Sequence, residues 1–104
     1  MEAKKTILVI DDEPHILLGL RDALTFEGYR VVTATNGKEG LALSRAERPN
    51  VVLLDLMLPG VDGMEILRRL RAKGNPVHIL VISARDGLED RLDALDAGAD
   101  EVSV

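Results

Sequence analysis

At 104 residues, with 46% apolar and 30% charged side chains, the chain is one globular domain with a single core rather than a disordered segment. The absence of Cys excludes a disulfide framework and thiolate metal sites, and a net charge of −5 with one Phe and one Tyr opposes nucleic-acid binding through phosphate contacts or base stacking. The N-terminal MEAKKT leads into a strand-like run without a signal-peptide core, and no apolar stretch is long enough to span a bilayer, so the expectation is a cytoplasmic protein with no membrane partner.

ILVI at 7–10 is a continuous apolar run rich in β-branched residues, the pattern of a strand buried on both faces. Asp11 and Asp12 follow it. Pro14 suits a first helical turn, Leu17, Leu20 and Leu24 then share one face, and Gly28 stops the helix. YRVVTA at 29–34 mixes in polar residues, as an edge strand does. Asn36 with Glu39 forms a capping-box pattern that opens a second helix, which ends before Pro49. VVLL at 51–54 is a second central strand, ended by Asp55. Asp62 with Glu65 opens a third helix, with Met64, Leu67 and Leu70 inward and Arg68, Arg69, Arg71 and Lys73 gathered where the helix dipole favours cations. ILVI at 79–82 is the third central strand, ended by Ser83. Leu88, Leu92 and Leu95 at helical spacing predict a fourth helix closing at Gly98, and EVSV at 101–104 a second edge strand. Strands and helices alternate throughout, which predicts a doubly wound α/β fold with a parallel five-stranded sheet and right-handed crossovers.

The three central runs all end in oxygen-bearing side chains: Asp11 and Asp12, then Asp55, then Ser83. In a parallel sheet these ends lie on one edge, where open α/β sheets bind ligands. Three carboxylates in one crevice repel each other, and a hard divalent cation relieves the repulsion; Mg²⁺ takes one or two carboxylates, several waters and a phosphate oxygen. Ser83 could donate to a phosphoryl oxygen, Ala84 leaves space for one, and Asp55 would be the nucleophile that forms an acyl phosphate. Each residue alone is more often a cap, a turn former or a solvated strand end. Four of them together, at the ends of three buried runs, make a site the better reading.

These residues also carry a resemblance. ILVIDDEP, NGKEGL, VVLLDLMLPGVDGMEILRRLR and ILVISARDGLEDRLDALDAGAD, in this order, resemble the receiver domain of two-component response regulators, of the kind that carries a winged-helix output domain. The resemblance runs from about Lys5 to the end of the chain. It implies a flavodoxin-like fold with strand order 2-1-3-4-5 and a sensor histidine kinase as phosphodonor. It further implies Asp55 as phosphoacceptor, Asp11 and Asp12 as the acidic pair for Mg²⁺, the backbone carbonyl of Met57 as a further ligand, and Ser83 as the switch hydroxyl. The side chains of Met57 and Arg85 fall on positions that tune phosphorylation and dephosphorylation rates in that family.

The chain departs from the family pattern in two places. The aromatic position on the fifth strand is taken by Val102, and Val104 comes one residue before the family's Lys-Pro pair and fifth helix. A receiver incomplete at its C-terminus is therefore expected, with Arg85 as auxiliary cation. Apolar sheet surface on the side of the first helix is expected to be covered by a homo-oligomer, a domain swap or a complementing segment. The alternative is a truncated or engineered receiver-derived scaffold that no longer signals. A haloacid-dehalogenase-like phosphatase needs an Asp where Met57 stands, and an FMN binder needs a phosphate loop where Asp11 and Asp12 stand.

Overall fold

A computed structural model describes residues 4–56, 63–72, 76–82, 95 and 97–103. Five strands, β1 (Thr6–Ile10), β2 (Arg30–Ala34), β3 (Val51–Asp55), β4 (His78–Ile82) and β5 (Glu101–Ser103), form one sheet in the order β2-β1-β3-β4-β5. Every pairing is parallel. Among the described residues there are three helices, α1 (Pro14–Phe26), α2 (Gly37–Glu47) and α3 (Gly63–Ala72), in the first three crossovers. The doubly wound fold expected from the sequence is thus observed, with β2 and β5 at the edges. Of the span predicted for a fourth helix, only Leu95, Ala97 and Gly98 are among the described residues.

The sheet separates two apolar layers, as successive strand side chains point to opposite faces. On one face Leu8, Ile10, Val52, Leu54, Ile79 and Val81 pack with Ile66, Leu67 and Leu70 of α3, and Leu41 and Leu43 of α2 join them. On the other, Ile7, Val9 and Leu53 pack with Leu17 of α1, flanked by Leu20, Leu24, Leu80 and Ile82. All five residues of β1 are buried, so its continuous apolar run follows from having both faces covered.

Local chemistry sets the helix ends. Pro14 opens α1 and the Glu13 side chain accepts from the His15 N–H, so Glu13 is the cap. At the other end Gly28 takes φ +98°, its N–H donates to the Thr25 carbonyl and that of Tyr29 to the Leu24 carbonyl, a left-handed closure that favours glycine. Asn36 caps α2 by accepting from the Glu39 N–H at 2.8 Å, as the sequence pattern predicts.

The amino edge of the sheet is tied by side chains. Asn50 Oδ1 accepts from the Thr6 N–H at 2.8 Å, while its own N–H donates to the Thr6 carbonyl and its carbonyl accepts from the His78 N–H. Its position in the sequence places Arg71 among the cations at the end of α3, but it does not join the exposed ones. Its guanidinium donates to the Gly98 and Val77 carbonyls and to Asp100 Oδ2, the last at 2.6 Å. The same Asp100 oxygen accepts from the Ile79 N–H at 2.7 Å. Arg71 therefore fastens α3 to the start of β4 and the turn into β5.

Candidate functional site

The carboxyl ends of β1 and β3 are neighbours, because Ile10 pairs with Leu54 in the central register. The next residue on each chain is an aspartate, so two buried strands deliver Asp11 and Asp55 side by side. Asp11, Asp12 and Asp55 each offer a carboxylate oxygen within 4.8 Å of the others. The acidic cluster read from the sequence is brought together. Its members differ in burial: Asp11 is 4% exposed, Asp55 is half-buried and Asp12 faces solvent.

Asp11 carries the electrostatic cost of the cluster. Burial pushes its carboxyl above the usual carboxylate range. The Glu13 N–H, donating to Asp11 Oδ1 at 2.9 Å, opposes that shift, while the charges of Asp55, Asp12 and Glu13 add to it. The Asp11 N–H donates to the Ala34 carbonyl at 3.1 Å, which holds its backbone to β2, and the bond from the Glu13 N–H orients its carboxylate.

A buried acid with raised pKa, two acids beside it and oxygen-only donors are what a hard divalent cation stabilises; Mg²⁺ fits this set, and neither His nor Cys is among the ligand atoms of the cluster. Met57, Ser83, Ala84 and Arg85 lie outside the described residues. Val102 stands in β5 opposite Val81 of β4, one strand beyond β4 from Asp55.

Two glycines that the sequence reading did not single out shape the site. A Cβ on Gly63, the first residue of α3, would lie 2.5 Å from the Leu56 Cα and 2.9 Å from the Asp55 carbonyl oxygen. A Cβ on Gly40 of α2 would lie 2.5 Å from Cδ1 of Ile10, the residue before Asp11. α3 thus presses against the backbone at the end of β3, where only hydrogen fits, and α2 packs closely on the Ile10 side chain beside Asp11. The available signal is a Gly placed within a helical pattern, where it costs helix stability unless a close approach needs it.

The chain is similar to known proteins in sequence and in fold. The profile of the response regulator receiver domain family matches residues 7–102. The response regulator MprA of Mycolicibacterium vanbaalenii is 46% identical over 95 residues, covering 91% of this chain and 41% of that protein. The chain thus spans about two fifths of the length of the curated relatives it matches. A CheY-like receiver domain protein from Methanospirillum hungatei superimposes with a TM-score of 0.91 at 34% identity, over 96% of this chain and 80% of that one. The response regulator TrrA of Thermotoga maritima, solved in complex with Mg²⁺ and BeF, gives a TM-score of 0.86 at 37% identity, over 96% of this chain and 85% of that one.

Proposed function

The chain belongs to the response regulator receiver domain family, and from that premise we propose that it accepts a phosphoryl group on Asp55, with Asp11 and Asp12 holding Mg²⁺. The observation that carries the proposal is the convergence of three carboxylates within 4.8 Å at the ends of two buried strands. Asp11, Asp12 and Asp55 would hold the ion through one oxygen each, and the backbone carbonyl of Met57 is proposed as a fourth protein ligand. The bound ion supplies positive charge that offsets the carboxylates and the incoming phosphoryl oxygens.

The remaining chemistry belongs to the protein. A carboxylate oxygen of Asp55 attacks phosphorus; the new P–O bond forms as the P–N bond to the donor imidazole breaks, and the imidazole leaves with the electron pair. The phosphodonor is the phosphohistidine of a sensor kinase. Asp55 is half-buried, open enough for in-line approach while its strand holds it in register between β1 and β4. Asp11, fixed by the N–H of Glu13, stays put while charge accumulates beside it. Ser83 is assigned as the hydroxyl that meets the phosphoryl group, Ala84 as the small residue beside it and Arg85 as an auxiliary cation.

The new dianionic group biases a pre-existing equilibrium near Ser83, and the proposed output is self-association. Support comes from Leu80 and Ile82, which stay only partly buried on the α1 face of the sheet. The reading also places the chain in the cytoplasm, where such kinases phosphorylate; none of the described helices is long and apolar enough to cross a membrane.

Incubation with acetyl phosphate and Mg²⁺, followed by intact-mass measurement, tests the proposal. One phosphoryl group should be added to the native chain and none to Asp55→Asn or to the native chain with excess chelator. Equal phosphorylation of Asp55→Asn would overturn it. Light scattering before and after phosphorylation reads the output, and an unchanged mass would remove self-association from the reading.

A further inference from the structure

Two cavities that share Arg45 lie against α2, and together they make a groove that α3 borders at one end through Arg69. Near the start of α2, a cavity of about 460 Å³ is lined by Lys38, Leu41, Ala42 and Arg45 of α2 and by Arg69 of α3. Arg45 also lines a second cavity, of about 710 Å³, which continues past Arg48 to Pro49, Asn50, Pro76 and Val77 at the amino edge of the sheet. Positions 38, 41, 42 and 45 form one stripe of an α-helix, so the cations and the apolar floor are presented along one line.

The charge of this groove opposes that of the whole chain. Four cations line it, and none of the described lining residues is acidic, although the chain carries a net charge of −5. The acids of α2 and α3 are engaged or off the line: Glu47 pairs with Arg30 at 2.8 Å, Glu65 pairs with Arg69 at 3.1 Å, and Glu39 lines neither cavity. For Lys38, Arg45 and Arg48 the described residues provide no ion pair. These cations share no hydrogen bond or ion pair with the acidic cluster around Asp55.

We propose that the α2–α3 groove is a docking surface for an acidic peptide segment of a partner protein, bound extended with a carboxylate at every third residue. The spacing follows from the helix: Lys38 and Arg45 are seven residues apart, about 10 Å along the axis at 1.5 Å per residue. A polyproline-type segment repeats every three residues, about 9 Å at 3.1 Å per residue, and so places successive carboxylates against successive cations. Leu41, Ala42, Pro49 and Val77 give the intervening residues an apolar floor. That floor, the lack of aromatic platforms and the net charge of −5 favour a short acidic peptide over a polyanionic nucleic acid.

The probe is the peptide acetyl-Glu-Leu-Pro-Glu-Leu-Pro-Glu-amide, titrated into the ¹⁵N-labelled chain at low salt, with the same peptide carrying Gln for Glu as control. Saturable amide shifts are expected at residues 38–48, at Arg69 and at Val77, and none with the Gln peptide. Arg45→Glu should weaken binding by about tenfold or more, whereas Arg21→Glu on α1 should leave it unchanged. Both variants are exposed surface changes, and their amide spectra report whether the fold is intact. Absence of saturable shifts, an equal response to the Gln peptide, or stronger shifts of the same amides by a single-stranded oligonucleotide would each overturn the proposal.

Discussion

Gly63→Ala is expected to destabilise the domain even though alanine is the better helix former. The added methyl would sit 2.5 Å from the Leu56 Cα and 2.9 Å from the carbonyl oxygens of Asp55 and Leu56, where ordinary van der Waals contact begins at 3.4 Å. The overlap with Leu56 is therefore about 0.9 Å, taken from 3.4 − 2.5, and every atom it meets is backbone. Asp55 is held by the pairing of β3 with β4 and Leu56 follows it directly, so α3 must shift outward and loosen Ile66 and Leu67, both fully buried. Overpacking of this kind costs about 1–3 kcal/mol, and replacing a helical Gly by Ala returns up to about 1 kcal/mol. The expected net is a loss of about 1–2 kcal/mol. Urea denaturation should show the midpoint falling with the slope unchanged, and the melting temperature should drop by roughly 4–8 °C per kcal/mol. Gly19→Ala is the internal control: nothing lies within 4 Å of its added methyl, so it should stabilise α1 by about 0.5–1 kcal/mol. Because Gly63 presses on the carbonyl of Asp55, Gly63→Ala should also weaken Mg²⁺ binding. A Gly63→Ala protein as stable as the parent, with Mg²⁺ affinity intact, would refute the close-approach argument.

Asp11→Asn should raise the melting temperature of the metal-free protein, since it removes a buried charge repelled by Asp55, Asp12 and Glu13. The same variant should lose Mg²⁺ affinity by on the order of 10- to 100-fold or more, read by titration calorimetry; a stabilised protein that kept its affinity would contradict the site. Asn50→Ala should cost about 1–3 kcal/mol in urea denaturation, because the partly buried Thr6 N–H loses its 2.8 Å acceptor. A change below about 0.5 kcal/mol would show that water replaces it. The pH dependence has a definite sign at Asp100, whose carboxyl is held below its ordinary value of 3.8, first by the Ile79 N–H and then by Arg71, against the opposing effect of burial. The folded state thus binds fewer protons there than the unfolded state, so the contribution of Asp100 is full above pH 3.8 and is lost as pH falls through the lower folded value. Asp100→Asn should flatten the acid limb of the stability curve below pH 3.8, and an unchanged limb would remove Asp100 from the account.

The sheet was legible because its central strands are buried on both faces, and burial on both faces writes a continuous apolar run. Thr6–Ile10, Val51–Asp55 and His78–Ile82 lie within one residue of the runs read from the sequence. Strand order and the meeting of Asp11, Asp12 and Asp55 follow from the parallel topology, since equal strand polarity brings the carboxyl ends to one edge. Arg71 was not legible. Periodicity places it among cations at the end of a helix, yet it reaches across to Gly98, Val77 and Asp100, residues up to 29 positions away. Hydrogen bonds to backbone carbonyls leave no sequence pattern, because every residue offers a carbonyl. Gly63 was hidden for a related reason: its role is to be smaller than alanine against the backbone of Leu56, and backbone carries no letter.

The two edges of the sheet are built in opposite ways, and the difference bears on function. At the amino edge polar groups are matched: Asn50 answers Thr6 and His78, Arg71 answers Asp100 and two carbonyls, and the Asp100 carboxyl is lowered as a result. At the carboxyl edge three carboxylates crowd together, and the buried one is raised. Among the described groups, the resolved shifts therefore point down where the sheet starts and up where it ends. A cation that binds the folded cluster and not the unfolded chain would stabilise the fold by offsetting the repulsion among these carboxylates. The rigid amino edge holds the strands in register against that repulsion, and the strained carboxyl edge is where added charge can change the molecule most.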